Sequence, residues 1–144
     1  MVAYADTSFF FSLYAQDANT VYAGRIIATA DAALVITALQ RHELRNAFRL
    51  AVFRHEITAA ECQKLLDLVE ADTKAGVLLE TPVAWAEVYA GAETLSAAHS
   101  KILGTRGFDV MHVAAAVALG IKNFFTFDAR QKTLAVKAGL KVKP

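Results

Sequence analysis

The sequence predicts an α/β fold: a three-layer sandwich with a mostly parallel central sheet flanked by helices. Short apolar runs at both ends of the chain, Val2-Ala3-Tyr4-Ala5 and Asn123-Phe124-Phe125-Thr126-Phe127, break off at Asp6 and Asp128. A run apolar on both faces marks a strand in the interior of a parallel sheet covered by helices. Segments of helical periodicity alternate with such runs throughout, with no internal repeat or low-complexity linker. Residues 1–144 are therefore read as a single domain, long enough to build one core.

The elements follow in order. After the first strand, Thr7-Ser8 can start a helix on a hydroxyl cap, with Phe10, Leu13 and Tyr14 on one face. Phe9 and Phe11 are left over, as a wide core stripe or as part of a partner groove. Asp17 to Ala30 reads as a second helix, and Ala33-Leu34-Val35-Ile36-Thr37 as the next buried strand. From Leu39 to Phe53 a long helix buries Leu44, Ala47, Phe48, Ala51 and Val52. Its Arg41, Arg45 and Arg49 recur every four residues, a solvated face or a phosphate-binding edge.

Thr58-Ala59-Ala60-Glu61 is a capping box that opens a helix with Cys62, Leu65, Leu66 and Val69 inward, ending near Lys74 and Gly76. Val77 to Glu80 is a third strand, and Thr81-Pro82 starts a helical stretch carrying Trp85, punctuated by Gly91 and Gly104. The loop Gly104-Thr105-Arg106-Gly107-Phe108 delivers Asp109 to the first turn of a helix, where the dipole favours its charge. Val110, Val113, Ala114 and Val117 are that helix's buried face. After the strand ending at Asp128, Ala129 to Ala138 is the last helix, closed by Gly139, and Leu140-Lys141-Val142 an edge strand.

Composition narrows the function. Lysine and arginine number 15 against 14 acids, a net charge of +1, so no global basic footprint announces a polyanion partner. The 56% apolar content and mean hydropathy of +0.35 fit a large core or a partner surface. Cys62 stands alone, which rules out an internal disulfide and leads us to expect a reducing, cytoplasmic location. We expect no signal peptide before Val2 and no membrane span, since the nearly apolar run Val110–Ile121 is too short to cross a bilayer.

Four acids stand at strand ends or helix starts: Asp6, Glu43, Asp109 and Asp128. Ligands in open parallel sheets sit beyond the carboxyl ends of the strands, so these acids are expected on one rim. Like charges gathered there oppose folding unless a cation lies between them. Oxygen-only ligands suit Mg²⁺ or Mn²⁺ and not zinc. Taken singly, Asp6 and Asp128 also read as helix caps and Asp109 as a helix-start acid.

The segments Ala5-Asp6-Thr7-Ser8, Arg41-His42-Glu43-Leu44-Arg45-Asn46-Ala47, Phe108-Asp109-Val110-Met111-His112-Val113-Ala114-Ala115-Ala116 and Phe125-Thr126-Phe127-Asp128-Ala129-Arg130-Gln131 resemble, in order and spacing, the PIN-domain ribonucleases. Within that family the chain looks like the VapC-type toxins of prokaryotic toxin–antitoxin pairs. The resemblance implies a metal-dependent endoribonuclease with Asp6, Glu43, Asp109 and Asp128 as Mg²⁺ ligands, Mn²⁺ being an alternative. It matches Thr7 or Ser8 to the family's hydroxyl beside the first acid, and Thr126 to the one before the last. Asn46 would orient Glu43 or be a plain surface amide; His112, in a run of Val and Ala, reads as a packing histidine. Arg106 and Arg130 are the cations best placed to hold RNA phosphate.

The implied partners are an RNA substrate, a second copy of the chain, and a small antitoxin lying near Phe9, Phe11, Leu50 or Phe53. A housekeeping RNA-processing nuclease or a non-catalytic metal-binding interaction domain would carry the same acids. A phosphotransferase of the haloacid-dehalogenase type fits poorly, because its second Asp would stand where Ser8 does. A two-component receiver lacks its acidic pair.

Overall fold

The structure is a computed structural model that describes residues 1–144. Five strands, β1 (Val2–Ala5), β2 (Ala33–Ile36), β3 (Leu78–Glu80), β4 (Asn123–Phe125) and β5 (Lys141–Lys143), form one sheet in the order β3-β2-β1-β4-β5. Every neighbouring pair is parallel, with Tyr4 opposite Val35 on one side and Phe124 on the other. Seven helices cover the two faces: α1 (Thr7–Tyr14), α2 (Thr20–Ala30), α3 (Ala38–Phe53), α4 (Ala59–Lys74), α5 (Trp85–Leu103), α6 (Gly107–Ala118) and α7 (Ala129–Lys137).

Strand alternation divides the core in two. Ala3, Ala5, Leu34, Ile36 and Phe125 pack with α1 to α4 through Phe9, Phe10, Leu44, Phe48, Cys62 and Val69. Tyr4, Val35 and Phe124 face the other way, onto α5 to α7 through Val88, Val113, Ala115 and Leu134. The expected three layers are present, and the sheet is parallel throughout. No helix is long and apolar enough to cross a membrane.

Local differences from the sequence reading have local causes. Helix α2 starts at Thr20 and not at Asp17, because the Asp17 carboxylate accepts from Ser12 Oγ at 2.8 Å and from the Asn19 amide at 2.8 Å, a turn geometry that competes with helix. Gly91 does not punctuate α5, which runs unbroken over it to Gly104; only Gly104, at φ 64°, ends the helix in the left-handed conformation. Phe9 belongs wholly to the core, at ring-centroid distances of 5.3 Å from Phe125 and 5.2 Å from Phe127, so it offers nothing to a docking partner. Phe11 is half-buried against Phe48, whereas Leu50 and Phe53 are exposed.

The fold positions the site through its strand order. The chain moves one way from β1 through β2 to β3, then returns to β4 beside β1 and moves the other way to β5. A crevice opens where the direction reverses, beyond the carboxyl ends of β1 and β4. Asp6 follows β1 directly; Asp128 lies beyond β4, after Thr126 and Phe127.

Candidate active site

Two of the acids stand at element boundaries and two in the opening turns of helices. Asp6 caps α1, its Oδ1 accepting from the Phe9 amide at 2.9 Å, and Asp128 caps α7 by accepting from the Gln131 amide at 2.9 Å. The capping reading of these two acids is thus correct locally, and it coexists with their place in the cleft. Glu43 lies in α3, whose start is fixed by a capping box: the Gln40 amide donates to Thr37 Oγ1 at 3.3 Å, and Gln40 Oε1 accepts from the Thr37 amide at 2.7 Å. The fully buried Gln40 also donates from Nε2 to the Ala5 carbonyl at 2.6 Å, tying α3 to the end of β1. Asp109 stands in the first turn of α6.

All four acids line one cleft of about 250 Å³ together with Thr7, Ser8, Arg106, His112 and Gln131, and no hydrophobic residue lines it. Asp6 is the most enclosed, at 2% exposure. Its Oδ1 accepts from Ser8 Oγ at 2.7 Å and its Oδ2 from Thr126 Oγ1 at 2.6 Å. Burial pushes its pKa up, against the lowering effect of the hydrogen bonds from Thr126, Phe9 and Ser8. Thr126 and Ser8 are themselves fixed, Thr126 Oγ1 accepting from the Asp128 amide at 2.9 Å and Ser8 Oγ from the Phe127 amide at 3.1 Å.

Arg106 is the cation of the cleft. Its Nε donates to Asp109 Oδ2 at 3.0 Å, and its Nη2 lies 3.9 Å from Asp128 Oδ2. Those contacts raise its pKa, Asp109 first, so it stays charged. Arg130 is exposed in the first turn of α7 and does not line the cleft. Asn46 is likewise exposed and outside it, because the core face set by Leu44, Phe48 and Ala51 turns position 46 to solvent. Of the arginine stripe on α3, Arg41 pairs with Glu80 at 2.9 Å beside β3.

His112 is buried in α6, as the sequence reading expected of a packing histidine, and it also lines the cleft. It is 2% exposed, and it is hydrogen-bonded at both ring nitrogens: to Tyr4 Oη at 2.9 Å through Nδ1, and to Glu43 Oε1 through Nε2. Thr7 Oγ1 donates to the same Glu43 oxygen at 3.2 Å. Burial alone would raise the Glu43 pKa, but the hydrogen bonds from His112 and then Thr7 hold it below its ordinary value. No local pattern marks this role; Tyr4 lies 108 residues away.

The donor chemistry fits a hard divalent cation. Four carboxylates face one guanidinium, and every buried side-chain polar atom has a partner. Asp109 Oδ1 and Glu43 Oε2 have none in the protein, so both open onto the cleft. No three of the acid and imidazole groups stand close enough together to form a ready-made ligand cluster.

Two larger clefts adjoin this one. A cleft of about 680 Å³ between α5 and α6 shares Glu43, Arg106 and Asp109 with it, and carries exposed Tyr89 and Phe108. A groove of about 370 Å³ between α1 and α3 shares Thr7 and Ser8, and is lined by Phe11, Leu50 and Phe127.

The PIN domain family model matches residues 3–137. Among solved structures, Mycobacterium tuberculosis VapC20, described as a Sarcin-Ricin loop cleaving toxin, aligns with a TM-score of 0.66 at 20% identity, over 91% of this chain and 93% of its own. FitAcB from Neisseria gonorrhoeae aligns with a TM-score of 0.58 at 19% identity, over 99% and 96% of the two chains. Comparison with curated proteins gives no match. At these identities the two structures speak for the fold.

Proposed function

The chain belongs to the PIN-domain family, and on that premise we propose that it is a divalent-metal-dependent endoribonuclease, the cytoplasmic toxin of a type II toxin–antitoxin pair. The observation that carries the reading is the convergence of Asp6, Glu43, Asp109 and Asp128, from four separate segments, on one wholly polar cleft. The toxin part is supported by the likeness of fold to VapC20.

Asp6, Glu43 and Asp109 would hold Mg²⁺ or Mn²⁺, with Asp128 as an outer ligand or a water-orienting group. Such a cation supplies Lewis acidity at a phosphoryl oxygen and lowers the pKa of a water. Asp6 contributes a carboxylate locked by Ser8, Thr126 and the α1 amide, so its orientation costs nothing at the moment of reaction. Arg106, 73% exposed, is free to turn from Asp109 to the phosphate and neutralise it. Hydrolysis then joins the water oxygen to phosphorus as the bond from phosphorus to one ribose oxygen breaks, and the proton the water gives up ends on that departing oxygen. The α5–α6 cleft would take flanking nucleotides, its Tyr89 and Phe108 offering faces on which bases stack. The α1–α3 groove would take an apolar antitoxin segment that reaches the acids past Thr7 and Ser8.

Cleavage of structured RNA by wild type and Asp109→Asn, with Mg²⁺ or Mn²⁺ and with EDTA, tests the reading. We expect the substitution to lower cleavage at least about a hundredfold, the scale for losing one preorganised charged group, and chelation to abolish it. Cleavage that persists in the variant would place the chemistry elsewhere.

A further inference from the structure

His112 presents an anomaly that packing does not explain. It sits in α6 among Val110, Val113, Ala114, Ala115 and Ala116, all buried, where an aliphatic side chain would fill the space without the cost of desolvating an imidazole. Both of its nitrogens are nevertheless engaged, and by two different layers of the fold: Tyr4 on the central strand and Glu43 on α3.

The direction of these bonds can be worked out. Glu43 Oε1 is a carboxylate oxygen and only accepts, so the hydrogen of that contact stands on His112 Nε2, which donates to it. The tautomer with hydrogen on Nε2 leaves Nδ1 to accept from the hydroxyl of fully buried Tyr4 at 2.9 Å. Thr7 Oγ1 donates to the same oxygen at 3.2 Å. Two donors use both acceptor directions of Oε1 and leave Oε2 without a protein partner, open to the cleft.

We propose that His112 is the positioning residue of Glu43: it transmits the fixed orientation of Tyr4 to the carboxylate, holding Oε1 inward so that Oε2 alone is offered to a divalent cation. The inference rests on the metal-dependent reading of the acid cleft. Partners of this kind, one bond removed from a metal, set ligand orientation and affinity.

Thermal melting in EDTA and across a Mg²⁺ titration provides a test that does not depend on RNA, applied to wild type, His112→Leu and His112→Gln. Loss of the donor in His112→Leu is expected to shift the Mg²⁺ midpoint upward about 10- to 100-fold. His112→Gln places an amide donor near the former Nε2 and is expected to recover most of the wild-type midpoint. A purely structural histidine would lower melting in EDTA and leave the midpoint unchanged in both variants, which overturns the proposal. Should His112→Leu not fold, Tyr4→Phe removes a single oxygen at the far end of the relay. An upward shift of several fold in its midpoint supports the role, and an unchanged midpoint refutes it. A wild type whose melting ignores Mg²⁺ and Mn²⁺ sinks the metal reading itself, an outcome distinct from unequal responses among the variants.

Discussion

Asp6 is only 2% exposed, with three donors to compensate for lost water. Because its folded pKa is raised, its contribution to stability is fully present below the ordinary value of 3.8 and is lost as pH rises through the folded value. Asp6→Asn removes that loss while keeping an oxygen for Ser8 and the Phe9 amide. In EDTA the variant should melt above wild type at pH 8, by about 2–4 °C for each kcal/mol relieved. The gap should close as pH approaches 3.8. Glu43 titrates with the opposite sign, stabilising above its ordinary 4.5 and less as pH falls, but it is common to both proteins and cancels in the difference. A gap that stays constant with pH would show that Asp6 is not the titrating group. Asp6 and Asp128 were legible in sequence, because an apolar run that stops at an acid is a local pattern; Glu43 and Asp109 stood out only as acids near helix starts and through the family resemblance. The contacts of His112 were not legible, because the same run of Val and Ala that predicts its burial conceals partners that exist only once the strand and two helices meet.

At the scale of elements, Gln40 joins what the sequence keeps 35 residues apart, the start of α3 and the end of β1. Gln40→Leu would fit the volume and strand two buried groups, the Thr37 amide and the Ala5 carbonyl. At about 1–3 kcal/mol for each unpaired group, the urea midpoint should fall clearly; a change below half a kcal/mol would mean that the backbone finds other partners. The Thr37-x-x-Gln40 spacing is a capping-box signature that could have been read from sequence, whereas its bond across to β1 could not. The fold class was readable for a related reason: alternation of apolar runs and helical periods is local. The strand order depends on which edges meet, and that information is spread over the whole chain. Asn46 shows the limit of counting turns. Spacing brings it within one turn of Glu43, yet the wide stripe from Gln40 to Ala51 fixes which way the helix faces.

The whole molecule leaves large apolar side chains in water: Phe53 at 79%, Ile102 at 83% and Tyr89 at 64% exposure. A standard interface covers about 800 Å² on each partner, a modest share of the 7813 Å² surface. Light scattering at micromolar concentration is expected to give a mass near twice 15.6 kDa; a monomeric mass would show that those faces do not join two copies. The sheet order has a further consequence, one of timing. The central strand is the first made, and its partner β4 is nearly the last. Thr126 follows Asp6 by 120 residues, roughly 6–24 s at ribosomal rates of about 5–20 residues per second. Through that interval β1 has at least one bare edge, Asp6 lacks a donor, and two of the four acids do not exist for most of it. A nascent chain that stops short of Asp128 therefore carries no assembled cleft, and until β4 is made one edge of the central strand stays open to wrong pairing.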